Sequence, residues 1–459
     1  MIAKKKIFNV FVIFLFLHLM IWTLVPTLSN LNLPLDTIEA LAWGSSLDWG
    51  YNKHPPVSAL AVEFMYLIFG SQDWAYYFLS QVFVIISFVY VWKFSNEFFN
   101  SKVLSLFSVL ILEGIIFLNY TTPEFNVYVC QLPLRVLTVY YCWRSVNNNK
   151  FLDWILFGLF ASIGFLTHYS FIFLLLALAM YLIFLFKNKK NFNFNFLLPA
   201  IVFLIIITPH LFWLFDNNFI TITYALNRTG IESKVFSDHI LNPLIFIFKQ
   251  IGILIPFFIL FFTIYQKNKK KINFNMKDKK FLFLLIINIL PILIIFLVSF
   301  FTGAKIKTMW MSTFYLFFGI FIIYLFEKKI DPNKFKNFIY VFSFIFLVSP
   351  SIYLYVSLSN ESKRTDYPGK EIARLVQNKW NKNFNNEIKI VVGDEWAAGN
   401  LSYHLSSRPV WTISLKNKTS QIKQDQGVVY AGNPEILKKI CPGVFGIIQP
   451  VGYCMIGEK

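Results

Sequence analysis

Asp36 and Glu39 stand three residues apart in LDTIEALAWG, and Lys53 and His54 follow in WGYNKHPP, within a chain otherwise dominated by Phe, Ile and Leu. On a helix that spacing projects both carboxylates from one face. Such a pair can bind a divalent cation, or orient and deprotonate an acceptor. The plainer alternative is a capping box, with Asp36 as N-cap and Glu39 at the third helical position, and for the two residues alone it is the better account. Their company shifts the balance. Lys53 and His54 stand just before Pro55-Pro56, which stiffens the chain at that point, and an ammonium beside an imidazole suits the charge of a departing phosphate ester. A Lys-His pair facing lipid headgroups is the competing explanation. Trp43, Trp49 and Tyr51 read by default as an interfacial belt, with a sugar-stacking surface as the alternative.

Further polar residues recur far along the chain. Glu124 and Asn126 open an apolar segment in NYTTPEFNVYV, where the helix dipole alone would favour a carboxylate. GAKIKTMW carries Lys305, Lys307 and Trp310 on a side of the chain otherwise poor in lysine, which marks it as a second phosphate clamp. Glu113 and Arg135 lie at similar depth in neighbouring apolar segments. Unpaired, each would cost several kcal/mol in a membrane, so they are expected to pair with each other. His168, at the head of another apolar segment, is open between a structural and a catalytic role.

The elements that position these residues follow from composition. The chain has 459 residues, of which 56% are hydrophobic, 19% aromatic and 14% charged, with a mean hydropathy of +0.57. Such values describe a polytopic α-helical membrane protein. The formal net charge of +18 does not indicate nucleic acid, because the lysines occur in short clusters between apolar runs and not on one water-facing patch. About eleven spans of roughly 17 to 23 residues can be drawn: Ile7–Val25, Trp74–Phe94, Val103–Leu118, Val127–Trp143, Phe151–Leu166, Tyr169–Phe186, Phe196–Phe215, Leu244–Tyr265, Phe281–Phe301, Met311–Phe326 and Phe338–Val356. The first is read as a retained anchor, since no small-residue cleavage site follows it.

The clusters Lys4–Lys6, Lys93 with Lys102, Arg144 with Lys150, Lys187–Lys190, Lys267–Lys280 and Lys328–Lys336 then share one side. By the positive-inside rule that side is the cytoplasm. The N-terminus is therefore expected inside the cell, while the first loop, the Glu124 turn, the Lys305 loop and the tail face outward. Pro56–Gly70 is apolar but short and carries Glu63, which suits an interfacial or re-entrant helix. A twelfth span there would put the lysine clusters outside.

From about Leu358 the composition becomes polar. YPGKEIARLVQNKW reads as an amphipathic helix burying Ile372, Leu375, Val376 and Trp380, and EIKIVVGDEWAAGNLSYHL as a strand, a turn and a second helix. The expected organisation is a transmembrane catalytic domain over residues 1–357 and a small α/β domain over 358–459. Cys130 and Cys142 fall in an apolar segment and are expected as small buried residues, whereas Cys441 and Cys454 in the tail can form a disulfide in an oxidising compartment. No cysteine spacing has a metal signature, and no repeat stands out.

With LDTIEALAWG, WGYNKHPP, TPEFN, GFLTHYS and GAKIKTMW in place, and with YPGKEIA and VVGDEWAAGNLSYHLSSRP in the tail, the chain resembles the bacterial GT-C glycosyltransferases related to dolichyl-phosphate-mannose protein mannosyltransferase and the aminoarabinose transferases. The resemblance implies a GT-C-like fold and an inverting transfer of a sugar from a polyprenyl-phosphate carrier to an extracytoplasmic acceptor, lipid A or another envelope glycolipid, at a bacterial inner membrane. A protein hydroxyl is the runner-up acceptor. It further implies Asp36 and Glu124 as catalytic residues, matching the loop aspartate and the second acidic position, and Lys53 as the lysine that meets the lipid phosphate; Glu39 is a third catalytic candidate from its spacing to Asp36. Lys53, with His54, Lys305 and Lys307, would hold the donor phosphate, and Tyr51, Asn126 and Trp310 would position substrate. The chain departs from many relatives, which have adjacent Asp-Glu where Thr37 follows Asp36 here, and which often have Lys at the place of His168. A divalent metal, if one takes part, has Asp36 and Glu39 as its candidate ligands. The principal rival class is a solute or lipid transporter, which would place its polar residues near the midplane within inverted repeats. A non-catalytic scaffold would leave the acidic first loop without a purpose.

Overall fold

The computed structural model describes residues 4–187, 194–230, 235–267, 272–360, 362–413 and 427–459. In hydrocarbon every backbone N–H and C=O must find a partner within the protein, so apolar runs close on themselves as helices. The chain begins with α1 (Lys4–Ser29), α2 (Leu35–Gly44), α3 (Val57–Phe69), α4 (Asp73–Phe98), α5 (Lys102–Leu110), α6 (Val127–Asn148) and α7 (Phe151–Phe165). It continues with α8 (Ile172–Lys187), α9 (Leu198–Asp216), α10 (Ile220–Thr229), α11 (Asp238–Ile264), α12 (Lys279–Thr302), α13 (Phe318–Leu325) and α14 (Phe335–Ser359). Seven helices among the described residues are long and apolar enough to cross a membrane, built on α1, α4, α8, α9, α11, α12 and α14. The expected fold class is borne out. The side-chain placement of Lys4 and Lys187–Lys190, and that of residues 268–271, lies outside the described residues.

Two expected spans are not continuous α-helices. Residues 103–118 form α5 followed by 3-10 turns at Ile111–Gly114 and Ile116–Leu118, and residues 311–326 contribute a 3-10 turn, a run of turns and the short α13. Close packing explains the breaks. A Cβ at Gly114 would collide with the α11 backbone at Phe257, and one at Gly319 with the Ser108 carbonyl. Both segments are buried inside the bundle, where neighbouring protein rather than lipid meets the irregular backbone. The break also overturns the expected Glu113–Arg135 pair. Glu113 meets His18 Nδ1 at 2.5 Å across to α1 and accepts from Asn119, while Arg135 lies over the Phe314 ring at 4.2 Å and donates to Thr313 Oγ1 at 3.4 Å.

The tail folds as α15 (Gly369–Asn381), β1 (Ile390–Val392), α16 (Ala397–His404), β2 (Val410–Thr412), β3 (Val428–Gly432), α17 (Pro434–Ile440), β4 (Val444–Ile448) and β5 (Val451–Ile456). The sheet order is β2-β1-β3-β5-β4. β1 pairs in parallel with β2 and β3, and β5 is antiparallel to β3 and β4. Cys441 and Cys454 are joined as a disulfide, and Cys130 and Cys142 are buried thiols. Of the four residues expected under α15, Ile372, Val376 and Trp380 are buried but Leu375 is 40% exposed, since it turns away from the sheet.

One apolar core joins this tail to the first outer loop: Ile38, Leu41, Trp43 and Val62 of α2 and α3 share it with Ile372, Val376, Leu401 and Trp411. Polar clamps complete the union. Arg408 pairs with Glu63 and donates to the Leu41 carbonyl, and Asn32 donates to Asn400 at 2.8 Å. Glu63, the odd charge in the short α3, thus fastens α3 to the tail.

Candidate active site

A cavity of about 630 Å³ opens where α2, the loop after it and α10 meet the bundle. Its charged wall comes from α2, the loop after it and the segment following α14, with Asp36, Glu39, Lys53, His54 and Arg364 at its surface. Opposite stand Tyr224 and Arg228 of α10 with Lys307 and Trp310. Ile172 and Phe173 of α8 and Ile295 and Val298 of α12 make an apolar side. The cavity is therefore polar toward the loops and greasy toward two spanning helices.

Asp36 lies in the first turn of α2, whose N-cap is Pro34, so the capping-box expectation fails. The unpaired Asp36 N–H is instead met by Glu124 Oε1 at 3.0 Å, and Thr37 Oγ1 donates to the Phe125 carbonyl at 3.1 Å. A helix-start donor left open by Pro34 is thus closed by another element, which locks α2 to the turn before α6. The Asp36 carboxylate itself takes no hydrogen bond from the described side chains. Burial raises its pKa, against the pull of Lys53, Arg228, Arg364 and Lys307. Glu124 is raised as well, to about 8, by burial and then by the neighbouring Asp36 charge.

Lys53 donates to Glu39 Oε1 at 2.8 Å and meets Glu395 Oε1 at 3.2 Å. Burial works against its ammonium, but the bond and attraction to Glu39, with Glu395 beside it, prevail and hold its pKa above the ordinary lysine value. Glu395 also accepts from Asn52 Nδ2 at 3.0 Å. His54 lies beside His168, with ring centroids 5.2 Å apart. Burial, then His168, Lys53 and Arg228, push the His54 pKa well below its usual value, and burial takes His168 down to about 4. The expected cation at His54 is therefore a neutral imidazole.

The structure gathers Asp36, Glu39, Lys53, His54, Lys307 and Trp310 around one space and sets the remaining candidates apart. Glu124 stands behind Asp36. Lys305 is exposed and off the cavity lining. Tyr51 is buried at 5% exposure, stacks on Trp43 and accepts from Asp48 N–H at 3.1 Å. The belt expectation thus fails for Trp43 and Tyr51, which are core residues, while Trp49 is 53% exposed. Asn126 caps α6 by accepting from the Tyr128 and Val129 N–H groups. His168, open from sequence, lines the cavity with Tyr128. Arg228, Arg364 and Glu395 escape the sequence reading. Arg228 is legible by the argument that singles out Lys307, a basic residue in an outer loop, whereas nothing local marks Glu395.

Among the described residues no three His, Cys, Asp or Glu side chains converge to hold a metal ion. Glu39 already holds an ammonium, so the residues do not fit a cation shared between Asp36 and Glu39.

Residues 53–213 match the profile of the Dolichyl-phosphate-mannose-protein mannosyltransferase family. No curated protein matches the chain by sequence. Among solved structures, ArnT from Cupriavidus metallidurans bound to undecaprenyl phosphate aligns with a TM-score of 0.64 at 12% identity, covering 99% of this chain and 98% of that one. ArnT from the same organism in the apo state aligns with a TM-score of 0.60 at 10% identity, covering 97% of each. The expected fold is thus borne out over the length of the chain, a multi-pass membrane protein with the ArnT fold, and the family resemblance over residues 53–213.

Proposed function

We propose that the protein is an inverting glycosyltransferase that moves a sugar from a polyprenyl-phosphate carrier to an acceptor on the outer side of a bacterial inner membrane, with the acceptor a lipid A-like or other envelope glycolipid. The observation that carries this is the single cavity with a charged wall and an apolar wall between α8 and α12. A carrier with a phosphate head and a hydrocarbon tail matches both walls at once. The likeness to a structure holding undecaprenyl phosphate supports the same donor class.

In this reaction Arg228, Lys307, Arg364 and Lys53 surround the donor phosphate and stabilise the charge that grows on it as the glycosidic bond breaks. All four line the cavity with the proposed acid, and each opposes the effect of burial on the Asp36 pKa. Asp36 accepts the proton where the acceptor is a hydroxyl. Neutral His54, His168 and Tyr128, with Trp310, offer hydrogen bonds and ring faces for a sugar without adding charge. Holding carrier and acceptor in one cavity turns a rare encounter in the leaflet into a near-unimolecular step, and one displacement inverts the anomeric centre. The N-terminus then lies in the cytoplasm and the tail in the periplasm.

Incubating the purified protein in proteoliposomes with a polyprenyl-phosphate sugar tests the proposal by release of polyprenyl phosphate. Mass spectrometry of envelope lipids with and without the gene names sugar and recipient together. No release with any such donor, combined with unchanged lipids, removes the proposal; a modified protein in place of a modified lipid replaces the acceptor.

A further inference from the structure

Behind the wall that carries Asp36 lies a second, much smaller cavity of about 20 Å³, with Asp36, Glu39, Trp43, His54, Ser58 and Asn126 among its lining. A chamber needs about 10–15 Å³ of such space to admit one water, and it holds one only where two to four polar partners await it. This chamber meets both conditions. Trp43 and Ser58 are 2% and 1% exposed, and the Trp43 Nε1–H and the Ser58 Oγ have no hydrogen-bond partner among the described residues. Buried polar atoms left in that state are costly and rare. Asp36, Glu39, His54 and Val127 line both this chamber and the large cavity, so the two carboxylates belong to the partition between them.

We propose that this chamber binds one structural water, which accepts from Trp43 Nε1–H, exchanges a hydrogen bond with Ser58 Oγ and donates to the carboxylate of Asp36 or Glu39. Its partners choose it over a cation, because an indole N–H points positive charge into the space. Asp36 takes no hydrogen bond from the described side chains, and a donor from behind orients its carboxylate while leaving the reaction face free. Trp43 and Ser58 are then positioning residues, acting on the acid through the water. This role in transfer rests on the function proposed above; occupancy of the chamber does not.

Asp36 is faced by Glu39 on its own helix, by Lys53 and His54 of the following loop, by Glu124, Tyr128 and His168 from the α6 and α7 ends, by Arg228 of α10, and by Lys307 and Arg364. None of these changes in Ser58→Ala, Trp43→Phe or the chamber-filling Ser58→Val. Losing one donor to the charged form raises a carboxylate pKa by about half a unit to one unit. The acid limb of the kcat profile is therefore expected to move up by that amount in each variant, with the donor KM within about twofold of wild type. The Trp43→Phe/Ser58→Ala double variant moves no further than either single one, because both act through one water. Cryo-electron microscopy of the wild type shows a density peak between Trp43 Nε1 and Ser58 Oγ, and Ser58→Val lacks it. Absence of that peak where other buried waters are visible overturns the site. An acid limb that stays put, or shifts that add in the double variant, overturns the role. Ser58→Ala is nearly isosteric and decides the role by itself should Trp43→Phe fail to fold. If the wild type transfers no sugar, the proposed function falls while the density still decides the water.

Discussion

On the wall that carries Asp36, nearly every polar neighbour is already engaged: Glu124 on the Asp36 N–H, Thr37 on Phe125, Lys53 between Glu39 and Glu395, and Arg408 on Glu63. Arg228 and Lys307 across the cavity, and Arg364 beside the acid wall, lie in no ion pair or side-chain hydrogen bond among the described residues, although all line the same space. The first wall is braced by a core shared with the tail; the second is carried by the short α10 and by an irregular segment, joined through the Lys305 N–H and the Thr229 carbonyl at 3.4 Å. In the proposed transfer, an acid whose backbone is held faces unspent cations, as transition-state stabilisation asks. The group that must be aimed is held in advance, and the groups that must meet a large anion keep their donors free for it.

The comparison breaks most visibly at Asp36. Asp36→Asn keeps the shape and removes the base, so turnover by the reconstituted protein is expected to drop by about 10²- to 10⁴-fold while donor binding persists; retained turnover takes Asp36 out of its role and the braced wall out of the chemistry. On the opposite wall Arg228→Ala is expected to raise the donor KM by about tenfold to a hundredfold, the equivalent of one charge-assisted hydrogen bond to phosphate, with a smaller change in kcat. An equal loss in kcat would mean that Arg228 acts on the leaving charge alone. Glu395→Gln sharpens the comparison more gently. Lys53 keeps Glu39 and loses the second of two carboxylates, so kcat/KM is expected to change about two- to fivefold, a measure of how far the tail tunes a site built in the membrane domain.

What can be seen in the sequence follows the range of each interaction. The acids of LDTIEALAWG and the lysine of WGYNKHPP stand out because charge is expensive against an apolar background, and the seven long apolar helices follow from hydropathy, whereas the broken segments at 103–118 and 311–326 do not. The capping box is a local rule defeated by a distant one, since Glu124, 88 residues away, accepts the Asp36 N–H that a capping box would give to Glu39. Depth alone sets Glu113 beside Arg135, but depth says nothing of rotation about a helix axis, and the break at Gly114 turns Glu113 toward His18. Glu395 reaches Asn52 across 343 residues, a contact made by the folding of the tail onto α2 that no spacing announces.

The smallest expected effect concerns the brace itself. Glu124 has its pKa raised from an ordinary 4.5 to about 8, chiefly by burial, so between those values the folded protein binds more protons there than the unfolded chain does. Stability must then fall as pH rises through that window and level off above it. Asp36 and Glu39 are also raised by burial and add to the same slope. Glu124→Gln keeps an acceptor for the Asp36 N–H and cannot ionise. It is expected to flatten the decline in the thermal midpoint between about pH 4.5 and pH 8 without abolishing it, and to leave the curve below that window almost unchanged. A variant with the full wild-type slope would mean that Glu124 is ionised in the folded protein at neutral pH, and that the Asp36 N–H is held by a charge where burial favours a neutral carboxyl.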